Sequence, residues 1–296
     1  MTNHTELLDR PEGRIAYTVE GPADGPLVVL VPGMGDLRGT WRDLVTPLVA
    51  AGYRTAVTDL RGHGDSDTTF RLHGDLATGS DVIALVEHLG GPAVLIGSSM
   101  GAASVAWVAA ERPDLVAGLV LSGPLLRNPP TSPLLEHVMH AAYRAMFVRP
   151  WGAALWASYY RSPLSRGRRA PWFDEHLAAI RTAMSDPAHL RQFRRLTLQL
   201  THAPVEARLG DVHAPVLAFI GRRDPDLRDP AAEAVWIEQT LDARTVFLDD
   251  AAHYPHHQAA DDVAPATLGW LAERPRDASG RLVVPTRGAH TDPADR

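Results

Sequence analysis

The chain has 296 residues, 45% of them apolar and 22% charged, with a net charge of −6 and no cysteine; that is enough for one large domain with an insertion and short of two ordinary ones. Disulfides and thiolate chemistry are excluded, the 29 basic residues are all arginine, so there is no Schiff-base or Walker-type lysine, and the acidic balance argues against a nucleic-acid partner. No apolar run approaches the roughly 18 residues that a membrane span needs, and the opening MTNHTELLDRPEGR lacks the apolar core of a secretory signal, so a cytoplasmic location is expected.

From there on, apolar runs alternate with helical patterns. Strands are predicted at 14–19, 27–31, 55–59, 93–96, 117–121, 216–220 and 245–248, and helices at 41–51, 80–89, 99–111, 231–241 and 261–273. Such alternation is the mark of a mainly parallel sheet covered on both faces. Between about 124 and 213 it stops, and helices interrupted by Pro and Arg clusters take over. A helical insertion in an α/β sheet is most simply a cap over the strand ends, where such folds keep their sites. The expected organisation is therefore a core of residues 1–123 and 214–273, a cap of residues 124–213, and a polar, Pro-rich, loosely ordered tail at 274–296.

At the junction of the strand at 93–96 and the helix at 99–111 stands VLIGSSMGAA, in which Gly97, Ser99, Met100 and Gly101 form G-x-S-x-G. A nucleophile on so tight a strand-to-helix turn has a strained backbone, and flanking side chains would collide with the neighbouring turn, so glycines flank it. The spacing selects Ser99; Ser98 would need glycine at positions 96 and 100 and is expected to be a hydrogen-bonded spectator. A serine hydroxyl is a poor nucleophile without a base and an orienting acid. Asp224, in GRRDPD after the strand at 216–220, and His253, in DDAAHYPHH after the strand at 245–248, follow in nucleophile, acid, base order. Asp226 and Asp250 are rivals for the acid.

With VVLVPGMGD, DLRGHGDSD, GSSMGA, GRRDP and AAHYPH in this order, the chain resembles the α/β-hydrolases, and among them the serine esterase, non-haem haloperoxidase and enol-lactonase group, over roughly 13–123 and 215–273. The resemblance implies an eight-stranded, mainly parallel sheet with helices on both faces and a helical cap. It assigns Ser99 as nucleophile, His253 as general base and acid, and Asp224 as the orienting carboxylate, favoured over Asp226 by the family's G-x-x-D spacing from Gly221. The backbone N–H groups of Met34 and Met100 would form the oxyanion hole. Pro32 stands where the family often has His before the first glycine, but the donor it precedes is at Met34. Cleavage of a carboxylic ester or lactone through an acyl-enzyme follows, with no cofactor or metal. Perhydrolysis of the haloperoxidase type and carbon–carbon bond hydrolysis share the triad, and a small-ligand receptor is a further use of the fold. Dehalogenases and epoxide hydrolases, which the resemblance associates with Asp at the elbow, are disfavoured by Ser99.

Other residues have plainer readings. His256 and His257, near Asp249 and Asp250, could suggest a metal, yet Pro255 breaks the helix that would align them, and helix-end solvation is expected instead. Arg61, His63 and Asp65 are expected to brace a loop through hydrogen bonds, outside the triad. The aromatic residues of the cap are mostly its core, with Gly33, Trp156, Tyr159 and Tyr160 as candidate pocket residues suited to an apolar moiety of a small-molecule substrate. The arginines Arg161, Arg166, Arg168, Arg169, Arg194 and Arg195 read as a solvated face.

Overall fold

A computed structural model describes residues 4–285. Eight strands run β1 (Glu6–Arg10), β2 (Gly13–Glu20), β3 (Leu27–Val31), β4 (Arg54–Thr58), β5 (Ala93–Ser98), β6 (Val116–Ser122), β7 (Val216–Gly221) and β8 (Arg244–Leu248). They form one sheet in the order β1-β2-β4-β3-β5-β6-β7-β8, antiparallel at β1-β2-β4 and parallel from there on. The eight-stranded, mainly parallel sheet is the one expected.

The parallel strands read as unbroken apolar runs because both faces are covered. On one face Val29, Val31, Leu95, Leu119 and Ala218 meet α2 (Asp75–Leu89), α3 (Met100–Glu111) and α9 (Pro230–Leu241). On the other, Val28, Leu30, Val94, Ile96 and Phe219 meet α1 (Arg42–Ala50) and α11 (Ala260–Ala272). Neighbours in one strand thus alternate between two cores, and each buried aliphatic side chain contributes about 1.5–3 kcal/mol.

Between β6 and β7 lies an insertion with no strand: α4 (Pro133–Met146), α5 (Gly152–Tyr159), a π-helical turn at Tyr160–Leu164, α6 (Phe173–Ser185), α7 (Pro187–Gln199) and α8 (Ala203–Glu206). Two of its starts are set by an N-cap oxygen followed by proline at the first helical position: Ser132 accepts from the Leu135 N–H at 3.3 Å and Asp186 from the Ala188 N–H at 2.6 Å. The insertion has its own core of Phe147, Trp156, Tyr160, Phe173, Ile180 and Phe193, joined by Tyr254 from the segment after β8. Of the expected tail, residues 274–285 return to the core, where Leu282 is buried and Arg276 donates to the Tyr53 hydroxyl at 2.7 Å; residues 286–296 lie outside the described part. Among the described residues no helix is long and apolar enough to cross a membrane.

The chain reverses direction across the sheet between β4 and β5, which flank β3 on opposite sides. Loops leaving the carboxyl ends of neighbouring strands diverge there and open a crevice. The turn after β5 fits only because two residues lack side chains: a Cβ on Gly97 would lie 2.4 Å from the Gly101 carbonyl oxygen, and one on Gly101 would lie 2.5 Å from the carbonyl oxygens of both Val31 and Pro32. Those obstacles are backbone atoms of α3, of the end of β3 and of the loop after it, and cannot swing aside. Gly101→Ala is therefore expected to cost about 1–3 kcal/mol, read as a lower midpoint of thermal unfolding; an unchanged midpoint would show that the turn is looser than described.

Candidate active site

Ser99 is the N-cap of α3, with φ 54° and ψ −122°. It shares a positive φ with only one other non-glycine residue among those described, Asp242. A side chain held there costs on the order of 1–3 kcal/mol, a strain that persists only where the surroundings impose it. They do: the Ser99 N–H donates to the Ser122 carbonyl at 3.0 Å, and Gly33 lies so close that a Cβ on it would stand 2.9 Å from Ser99 Cβ. The hydroxyl of Ser99 has no hydrogen-bond partner among the described residues. Ser98 is fully buried and its hydroxyl is also unpaired, contrary to the hydrogen bond expected of it, because at the last position of β5 it faces a packed interior.

His253 and Asp224 meet at the same sheet edge. Asp224 follows β7, its side chain wholly enclosed, and its Oδ2 accepts from His253 Nδ1 at 2.8 Å. That bond leaves Nε2 as the nitrogen free to handle a proton. His253 itself is 2% exposed, held by its N–H on the Leu164 carbonyl at 3.0 Å. Burial works against its imidazolium, yet the Asp224 charge and hydrogen bond, with Asp226 behind them, outweigh burial and raise its pKa above the ordinary 6.5. Of the rival acids, Asp250 is paired with Arg223 at 2.7 Å on the surface. Asp226 stands on the other side of the ring, its Oδ2 3.8 Å from Nε2. Asp224, Asp226 and His253 are also the group among the described residues whose donor atoms could converge on a cation. The 2.8 Å bond spends Nδ1 and one Asp224 oxygen on each other, so the donor set does not favour a metal.

The loop after β3 supplies the remaining parts. Met34 lies beside Gly33 and Met100 opens α3, and neither N–H has a backbone acceptor among the described residues. Met100 follows Ser99 in the chain, and Met34 follows Gly33, which packs against the Ser99 turn. The loop is gripped from both sides. From below, His63 accepts from the Gly35 N–H at Nε2 (3.2 Å) while its Nδ1–H donates to the Arg61 carbonyl (2.9 Å). Burial lowers its pKa to about 4, which keeps Nε2 an acceptor. From above, Trp156 Nε1–H donates to the Gly35 carbonyl at 2.9 Å, and Asp36, fully buried, accepts from Tyr160 (3.1 Å) and from His176 (2.6 Å). Sequence reading missed Asp36 and His176, which lie 140 positions apart and carry no local signal beyond an acid after two glycines.

The bracing residues behave as expected: Arg61 forms a two-pronged pair with Asp81, and Asp65 is paired with Arg38. Of the pocket candidates, Tyr159 is partly exposed and donates to Asp226 Oδ1 at 2.7 Å, whereas Trp156 and Tyr160 are buried in the bonds just described. His256 and His257 are not solvated. His256 is enclosed between Thr40 (2.9 Å) and Ser122 (3.0 Å), and burial pushes its pKa well down. Among the described residues neither His257 ring nitrogen has a hydrogen-bond partner, and burial lowers its pKa to about 3. They end up inside because the short helix Pro255–Gln258 (α10) is packed between α1, α11 and the insertion's aromatic residues. Among the arginines expected on a solvated face, Arg161 pairs with Asp174 and Arg168 with Asp261 and Asp262, all on the surface.

Similarity to known proteins agrees with this geometry. A model of the "Alpha/beta hydrolase family" matches residues 28–266. The chain is 29% identical to the magnesium-chelatase 30 kDa subunit of Rhodobacter capsulatus over 85% of this chain and 88% of that one. It is 33% identical to a haloalkane dehalogenase of Mycobacterium marinum over 73% and 75%. In fold it resembles a thermophilic esterase of Thermogutta terrifontis, with TM-score 0.72 at 24% identity over 91% of this chain and 98% of that one. Three features coincide: the family model covers four-fifths of the length, the sheet has the order and direction required, and a serine sits on a strained turn at its carboxyl edge. The chain therefore belongs to the alpha/beta hydrolase family.

Proposed function

We propose that the protein is a serine hydrolase that cleaves a carboxylic ester or lactone through an acyl-enzyme. The observation that carries this reading is the 2.8 Å bond between Asp224 and His253 Nδ1, made at the same sheet edge as the positive-φ Ser99. Ser99 Oγ attacks the carbonyl carbon as His253 Nε2 takes the hydroxyl proton, and the Asp224 charge stabilises the imidazolium that results. The carbonyl oxygen becomes an alkoxide facing the amides of Met34 and Met100, each such donor being worth about 10²–10³ in rate. His253 then returns the proton to the departing alcohol, water enters, and the same nitrogen deprotonates it to release the acid and restore Ser99.

In this reading the insertion is a cap that shields the acyl-enzyme and holds the oxyanion loop through Trp156, Tyr160 and His176. A Ser nucleophile separates this chain from the chemistry named for the dehalogenase relative. The deciding experiment is a panel of p-nitrophenyl esters, lactones and amides, assayed with and without peroxide. Turnover of esters or lactones in water supports the proposal. Activity only with peroxide favours the haloperoxidase type, and tight retention of a small ligand without turnover favours a receptor.

A further inference from the structure

Helices on the outside of a globular chain turn polar side chains to water. In the insertion, α6 does so with Asp174, Glu175, Arg181 and Thr182, and α7 with Arg191 and Arg195. α4 does not. On its inward side Tyr143 packs on the aromatic core of the insertion, and its outward side is apolar as well: Leu134, Val138, Ala141 and Ala145, spaced by three and four residues, are all exposed. Leu134 is 76% exposed and Val138 56%. The row continues past the end of the helix, because the indole N–H of Trp151, itself 50% exposed, donates to the Ala145 carbonyl at 3.0 Å. From Trp151 the exposed Leu155 and Tyr159 follow at four-residue spacing along α5. Single exposed apolar residues are ordinary, but a connected row over two helices marks a surface that something covers.

The charge around the row identifies its occupant. Between 124 and 173 the chain carries seven arginines against a single acid, Glu136, although the whole chain stands at −6. Some of these arginines are answered from nearby: Arg127 by Glu233, Arg161 by Asp174 and Arg168 by Asp261. Arg144 and Arg149, on either side of the junction between the two rows, are exposed and have no ion-pair partner among the described residues. A second copy seated symmetrically on this face would set those arginines against their own images, which like charge opposes. An anionic bilayer answers both features at once: the acyl boundary takes up Leu134, Val138 and Leu155, the headgroup phosphates take up the guanidinium groups, and an indole such as that of Trp151 suits the level between them. We infer that the outward face of α4, with Trp151 and Leu155, docks this protein peripherally on a bilayer of anionic phospholipid. The α5 row ends at Tyr159, whose hydroxyl donates to Asp226 at 2.7 Å, so the docked face reaches the residues beside His253.

The test is co-sedimentation of the full chain with vesicles of phosphatidylglycerol and of phosphatidylcholine. At low salt the native protein should partition onto the anionic vesicles about tenfold or more better than onto the zwitterionic ones, since each arginine near such a surface is worth about fivefold, and added salt should narrow the gap. Leu134→Asp with Val138→Asp should lower binding to phosphatidylglycerol by about tenfold or more. Arg144→Gln with Arg149→Gln should instead bring the two lipids to nearly equal affinity. All four positions are exposed, so both double variants should melt with the native midpoint, which thermal unfolding checks. No binding of the native chain to phosphatidylglycerol, or binding that survives both double variants, overturns the inference. So does a native dimer in analytical ultracentrifugation that Leu134→Asp with Val138→Asp dissolves, because a second copy then covers the face. Vesicle binding needs no turnover, so its failure leaves the hydrolase reading standing, and failure to cleave p-nitrophenyl butyrate leaves the docking face standing.

Discussion

Ser99→Ala is expected to reduce hydrolysis of p-nitrophenyl butyrate by about 10⁴-fold or more and to abolish labelling by a fluorophosphonate probe, whereas Ser98→Ala changes either by no more than a few-fold. The two hydroxyls are adjacent in sequence but differ in every physical respect that matters. Ser99 sits on the strained turn between β5 and α3, beside Gly33. Ser98 points into packed strand interior with no partner. Removing the Ser98 oxygen relieves a buried unpaired polar atom, so that variant should also melt no lower than the native protein. A labelled Ser99→Ala protein would transfer the nucleophile to another residue and end the present assignment.

The second large effect concerns the acid. Asp224→Asn should lower kcat by about 10³–10⁴-fold, since an amide no longer holds the imidazole with its proton on Nδ1 and no longer balances the imidazolium. Asp226→Asn should lose far less for an uncharged ester and should instead move the pH profile. His253 must be deprotonated to act, so the rate falls as pH drops through its pKa. With that pKa raised, first against burial by Asp224 and then by Asp226, the acid limb of the native protein lies above pH 6.5 and activity is greatest on the alkaline side. Neutralising Asp226 removes one of the charges that favour the imidazolium, so the limb shifts to lower pH. Equal losses from both variants, with no shift, would leave the acid unassigned.

The strands β3 to β8 were legible because runs such as VVLV and AVLIG are apolar without alternation, which only a sheet buried on both faces requires. β1 was not: ELLDR is an antiparallel edge strand with one buried residue, and nothing in five mixed residues distinguishes it from a loop. α2 begins at Asp75, five residues before its apolar pattern starts, because Asp75 is buried against His202 of the insertion at 2.7 Å, a partner 127 positions away. The same limit applies at the site. Ser99, Asp224 and His253 stand next to strand ends and declare themselves through Gly spacing and chain order. Asp36, His176 and the buried pair His256 and His257 acquire their surroundings only when α1, α6 and α10 come together, which short-range pattern does not encode.

One consequence concerns how molecules get in and out. The Trp156 indole, the Tyr160 phenol and the His176 imidazole all bind the glycine loop that would cradle the reacting oxygen. Lifting the whole helical roof would break those contacts and dissolve the geometry beneath it, so an open door and a working catalyst exclude each other. Exchange at the rim of the insertion, with those bonds intact, is the expected alternative. Turnover in this enzyme should therefore be throttled by breathing of one corner and stay nearly indifferent to hinge motion of the insertion as a unit.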